Sequence, residues 1–120
     1  MKKIKTTNPE LRELVIFLRK QSRENKVGIW RDIAERLAKP RRNRVAVNLS
    51  RLNRYTQRNE TVAVPGKVLG AGEMGHPITV AAFTFSERAK EKIIASRGKC
   101  LSFADLIKKK PNGSNVRIIG

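Results

Sequence analysis

The chain has 120 residues, with 27 Lys or Arg against 10 Asp or Glu, a formal charge of +17 and a pI near 11.2. One cysteine, Cys100, and one histidine, His76, exclude an internal disulfide and a four-ligand zinc centre. No apolar run approaches the ~20 residues of a membrane span, and Met1-Lys2-Lys3-Ile4-Lys5 leads to Asn8-Pro9-Glu10 instead of the apolar stretch of a secretory signal.

Length alone predicts one domain over residues 1–120, with 1–7 as a flexible basic arm. Asn8 reads as a helix N-cap, with Pro9 at the first helical position and Glu10 in the first turn. Leu11, Leu14, Val15 and Leu18 recur at helical spacing as the expected buried stripe, with Arg12, Arg19, Lys20 and Arg23 mostly off it. Gly28 breaks the pattern. Trp30, Ile33, Ala34 and Leu37 make a second stripe ending before Pro40, so the two helices are expected to pack as a hairpin. Val45 and Val47 then alternate with Ala46 and Asn48 as in a short strand. Asn48 is expected to cap a short helix with Leu49, Leu52 and Tyr55 inward and Arg51, Arg54 and Arg58 on the outer face.

Thr61 to Val64 reads as a strand, interrupted at Pro65-Gly66 and resumed by Val68-Leu69. Gly70 to Pro77 is a glycine-rich turn, and Ile78 to Phe85 is the clearest strand in the chain. Ser86 suits an N-cap, opening a helix that ends near Gly98; Ala89, Ile93 and Ile94 are its expected apolar side, and Arg88, Lys90 and Lys92 face elsewhere. Lys99 to Leu101 reads as a strand, Ser102 and Asp105 as a capping box for a last helix through Lys108, and Val116 to Ile119 as an edge strand. The order strand, helix, strand from Ile78 to Leu101 marks a βαβ unit. The fold class is therefore mixed α/β behind an N-terminal helical hairpin.

From Arg36 to Asn59 there is no Asp or Glu, and Lys39, Arg41, Arg42, Arg44, Arg51, Arg54 and Arg58 fall in that gap. Solvated faces normally mix both signs. A one-signed stretch rich in Arg, whose planar fork matches phosphate oxygens, points to a polyanionic partner, and the overall charge points to nucleic acid. The few aromatics argue against stacking platforms for single strands and favour binding through charge and shape. For Lys108-Lys109-Lys110 a solvated face and RNA contact are equally good readings.

Gly70-Ala71-Gly72-Glu73-Met74-Gly75 matches the dinucleotide motif G-x-G-x-x-G, but His76-Pro77 and a strand follow. Without a helix after it, a pyrophosphate lacks the amide donors it needs, so no cofactor is expected. The loop instead reads as a turn, or as a surface thin enough at Gly70 and Gly72 for RNA backbone to approach beside Lys67. His76 reads as an exposed loop residue, and Cys100, within Cys-Leu-Ser-Phe, as a buried inert thiol. Glu87 and Glu91 lie among Arg88, Lys90 and Lys92 as surface charge balance. No acid–base constellation for an enzyme, no metal site and no small-molecule substrate emerge from these residues.

Four segments carry a family likeness: Val47-Asn48-Leu49-Ser50-Arg51-Leu52, Val64-Pro65-Gly66-Lys67-Val68-Leu69-Gly70-Ala71-Gly72, Thr79 through Ser86, and Gly113 through Gly120. With them the chain resembles large-subunit ribosomal protein eighteen of archaea and eukaryotes, a relative of bacterial large-subunit protein fifteen. The short length looks archaeal. The resemblance implies an irregular superhelix of strand–strand–helix turns and a structural role on large-subunit ribosomal RNA. It implies neighbouring ribosomal proteins as further partners, a cytoplasmic location on the ribosome, no catalysis and no cofactor. It carries RNA contact to Arg51, Arg54, Lys67 and the loop glycines; Arg41, Arg42 and Arg44 rest on charge. The competing reading is a basic DNA-binding architectural protein, which the charge fits equally well but which lacks a helix-turn-helix signature or an apolar wedge.

Overall fold

The structure, a computed structural model, describes residues 8–40 and 45–120. The basic arm and Arg41, Arg42 and Arg44 lie outside the described residues. Helix α1 (Pro9–Asn25) starts as its residues dictate, with the Asn8 side chain accepting from the amides of Glu10 at 3.0 Å and Leu11 at 3.3 Å. Lys26 turns the chain in a left-handed conformation, and Gly28 opens α2 (Gly28–Leu37). Leu11, Val15 and Leu18 pack with Trp30, Ile33, Ala34 and Leu37 in one core, which is the expected hairpin. Arg19 departs from expectation. It stands one turn after Val15 on the buried stripe, and its guanidinium bonds Glu35 of α2 through Nε at 2.7 Å and a second nitrogen at 3.2 Å. A charge there is tolerated because the fork and the carboxylate satisfy each other.

Strands and short helices then succeed one another: β1 (Val45–Asn48), α3 (Leu49–Tyr55), β2 (Thr61–Leu69), β3 (Thr79–Phe85), α4 (Glu87–Ala95), β4 (Lys99–Leu101), α5 (Phe103–Lys109) and β5 (Val116–Ile118). The class is mixed α/β, and β2–β3–α4 is one strand–strand–helix turn. Among the described residues the five strands form one parallel sheet in the order β1-β2-β3-β4. β5 takes the same flank of β2 as β1, beside Thr61–Ala63 where β1 takes Gly66–Leu69. Alternation along the central strands divides the core. Ala63 and Ala81 face α1, α2 and α5, while Val62, Val64, Val80 and Ala82 face α3 and α4. Both sheet faces are therefore covered, as parallel strands require.

β2 runs through the Pro65-Gly66 interruption as one strand with a bulge between Val64 and Lys67. A proline in a central strand is confined to such a place because it donates no ladder bond. Gly66 lies where a Cβ would sit 2.0 Å from the Val45 carbonyl oxygen, so only glycine lets β1 pass.

The connection from β2 to β3 is unusual. β3 begins beside Thr61, so residues 70–78 must return the length of β2, roughly 26 Å at ~3.3 Å per residue. An extended segment of this length reaches that far, whereas the same residues in a helix would advance only ~14 Å. The glycine-rich segment is thus a drawn-out crossover, which explains its lack of helix.

Candidate nucleic-acid interface

The crossover returns alongside α3, and the two are bonded along their whole shared length. Asn48 stands at the N-cap of α3, but its side chain makes no capping bond; the Ser50 amide is taken by the Ala71 carbonyl at 3.1 Å. The Gly75 amide donates to Asn53 Oδ1 at 2.9 Å, His76 Nε2 lies 2.7 Å from Thr56 Oγ1, and the Asn59 amide donates to the Pro77 carbonyl at 2.7 Å. Gly72, at φ +93°, has the conformation and the closeness that demand glycine: a Cβ would lie 2.6 Å from Ser50 Cβ. Gly70 is buried, and a Cβ there would meet Arg88 Cβ at 2.8 Å, so this glycine serves the packing of the loop on α4.

A lysine from α4 closes the arrangement. Lys92 Nζ donates to the carbonyls of Gly70 at 3.0 Å and Gly72 at 2.6 Å, and stands 3.1 Å from the Glu73 carboxylate. Lys92 lies off the apolar side of α4, as expected, and there its charge holds the loop. His76 is also corrected, from exposed to half-buried. Thr56 has one hydroxyl proton and gives it to the Leu52 carbonyl at 2.6 Å, so the proton between Thr56 and His76 belongs to Nε2. At the far end of α3 the Arg117 guanidinium donates to the Tyr55 carbonyl and stands 3.3 Å from Glu60.

Leu49 and Leu52 are buried against the sheet as expected, but Tyr55 is 54% exposed. Helical geometry is the reason. Seven positions from Leu49 close nearly two whole turns, so Thr56 takes the inward place and Tyr55 turns out. Likewise Ile94, one position past the buried Ile93, projects from α4 into solvent. Arg51 and Arg54 are exposed on α3, and Arg58 is exposed in the turn beyond it. Lys67 is exposed on β2, with its cross-strand neighbours Ala46 and Thr84 exposed on either side. Lys39 is exposed just past α2, the layer opposite α3, so the fold separates it from the Arg51 group. Arg41, Arg42 and Arg44 lie outside the described residues.

Most of the exposed Lys and Arg side chains described, the candidate residues included, carry no ion pair. Among the described residues Arg19, Lys20, Arg36, Lys92 and Arg117 form ion pairs, whereas Lys39, Arg51, Arg54, Arg58 and Lys67 form none. The outer side of α3 is thus a rigid helix face with uncompensated guanidinium groups, joined to a loop whose Gly72 and Gly75 are exposed. Such a surface suits phosphate oxygens. Elsewhere, burial raises the Cys100 thiol above its ordinary pKa, with Lys90 opposing, so it stays protonated at neutral pH. Lys92 and Tyr55 escaped the sequence reading for different reasons. No local pattern links Lys92 to Gly70, but the period of 3.6 applied from Leu49 would have turned Tyr55 outward.

The family model described as ribosomal protein 60S L18 and 50S L18e matches residues 1–120. Similar proteins named large ribosomal subunit protein eL18 occur in Methanoregula boonei, at 48% identity over 97% of this chain and 96% of the relative. Another is found in Methanococcus maripaludis, at 49% identity over 99% of both chains. A third, in Methanospirillum hungatei, is 50% identical over 94% of this chain and 93% of its own.

Proposed function

Since the chain belongs to the ribosomal protein family of 60S L18 and 50S L18e, we propose that it is a structural constituent of the large ribosomal subunit that binds large-subunit ribosomal RNA through Arg and Lys contacts to phosphate. The carrying observation is the outer side of α3, where Arg51 and Arg54 stand exposed and without acidic partners. Arg58 and the backbone at Gly72 extend this surface; Lys67, which alternates with the core-facing Val68 of β2, adds charge from the other sheet face, and Lys39, Arg41, Arg42 and Arg44 add charge from the same acid-free stretch. Gly70 contributes through the loop it seats. Residues 1–120 act as one unit, with 1–7 as a basic arm, on the cytoplasmic ribosome next to other large-subunit proteins.

The mechanism is electrostatic and involves no chemistry at the protein. Each guanidinium placed on a phosphate releases condensed counterions, which drives association and makes it salt-dependent. The small core and the bonded crossover hold the cations in place beforehand. An A-form helix hides its major groove, so backbone, 2′-hydroxyl and shape carry the recognition. The DNA-binding alternative has no support from the relatives, whose names are all ribosomal.

The test is filter binding of large-subunit ribosomal RNA at several salt concentrations. Arg51→Ala with Arg54→Ala should leave the fold intact and flatten the slope of log K against log salt by about 1.4 to 1.8, the loss of two phosphate contacts. An unchanged slope removes these residues from the interface. Equal competition by duplex DNA at matched salt would return the DNA-binding reading.

A further inference from the structure

Tyr55, 54% exposed, is the one exposed aromatic side chain among the described residues: Trp30 and Phe103 are buried, and Phe17, Phe83 and Phe85 are half-buried. It stands in the acid-free stretch, one helical turn after Arg51 and directly after Arg54. Tyr55 and Arg51 share a helix face. The other large apolar side chains left exposed, Ile16 and Ile94, lie on α1 and α4 and offer no flat ring. The backbone under the ring is held on three sides. The Tyr55 carbonyl accepts from Arg117, Thr56 bonds the Leu52 carbonyl, and His76 bonds Thr56.

A ring presented this way loses little freedom when a ligand covers it. Every nucleobase has a flat face that stacks on such a ring, and the nearby guanidinium groups match the charge on either side of a nucleotide. A base within a paired helix cannot reach the ring, because its faces are already stacked. We propose that Tyr55 is a docking point for one unpaired nucleobase, stacked on the phenol ring, with the flanking phosphates taken by Arg51 and Arg54. This rests on the RNA-binding reading above and names a subsite within it. It is one stacking site on a surface otherwise read by charge and shape.

The experiment uses the full chain and large-subunit ribosomal RNA, with filter binding across salt and ultraviolet crosslinking read by peptide mass spectrometry. Tyr55→Ala should bind at least about fivefold more weakly with an unchanged salt slope, because a neutral stacking contact is lost and no phosphate contact. Tyr55→Phe should bind as the parent does, and the parent should carry a nucleotide adduct on the peptide containing Tyr55. The side chain is 54% exposed, so Tyr55→Phe should keep the parent's thermal midpoint and Tyr55→Ala should lower it only slightly. Binding of Tyr55→Ala within twofold of the parent, while Arg51→Ala with Arg54→Ala flattens the slope, overturns the stacking site and leaves the RNA reading intact. A loss as large for Tyr55→Phe overturns it too, since the hydroxyl and not the ring would then be the contact. If neither the tyrosine nor the arginine variants change binding, the RNA reading itself falls.

Discussion

Replacing Lys92 with Met isolates what holds the crossover in place. Methionine keeps an unbranched apolar stem of similar length, so packing on α4 changes little. The ammonium is lost, and with it the donor to the carbonyls of Gly70 and Gly72 at 3.0 and 2.6 Å. A hydrogen bond from a charged donor contributes roughly 1.5 to 3 kcal/mol when buried. The Gly70 carbonyl belongs to a buried residue, whereas Gly72 is exposed and can turn to water. The contact with Glu73 adds little, because that carboxylate is 82% exposed. The expected loss is therefore about 2 kcal/mol, mostly from the Gly70 carbonyl. Chemical denaturation followed by circular dichroism would measure it, and hydrogen exchange at the amides of Gly72 to Gly75 would locate it. Glu73→Gln should change stability by less than about 0.5 kcal/mol. A Lys92→Met protein within ~0.5 kcal/mol of the parent, with loop exchange unchanged, would refute the argument that this side chain secures the crossover. RNA affinity should also fall in Lys92→Met, but with the salt slope preserved, because the charge removed is already committed within the protein.

Gly66→Ala should abolish or gravely weaken folding, because its Cβ would overlap the Val45 carbonyl, whereas Gly28→Ala, with nothing within 4 Å, should stabilise α2 by about 0.5 to 1 kcal/mol in thermal melts. Arg19→Met should cost about 2 kcal/mol in denaturant titration, because the two charge-assisted bonds to Glu35 are lost. Because burial makes the folded protein hold the Cys100 proton more tightly than the unfolded chain does, its contribution to stability is fully present below the unfolded thiol's pKa and is lost as pH rises from there through the folded thiol's higher pKa. A thiol reagent should accordingly react with the native protein more slowly than with the denatured chain at mildly alkaline pH, and equal rates would contradict the assigned cause.

Much of the framework was legible because its causes are local. Asn8, Ser86 and Ser102 each accept a backbone bond at a helix start, as their short polar side chains imply. The stripes Leu11-Val15-Leu18 and Trp30-Ile33-Ala34-Leu37 are buried because the helical period places them on one side. The candidate interface was legible as a charge pattern and only partly as a surface. Arg51 and Arg54 project outward as spaced, while Lys39 falls on the opposite layer and Tyr55 leaves the core. Arg19 shows the limit from the other side. A charge on an apolar stripe looks misplaced until Glu35, sixteen positions later, is seen to meet it.

Residue order alone determined the helix starts, the strand at the middle of the sheet, the absence of a helix after the glycine motif and the excess positive charge, since each depends on neighbours within a few positions. Tertiary structure decided that β5 lies beside β2, that Lys92 closes on a loop about twenty residues away, and that Arg117 reaches the end of α3 across 62 positions. Those contacts are chosen by how two covered sheet faces and one taut crossover can be closed in space. No periodicity along the chain records such a choice, because the partners meet only after the layers have packed.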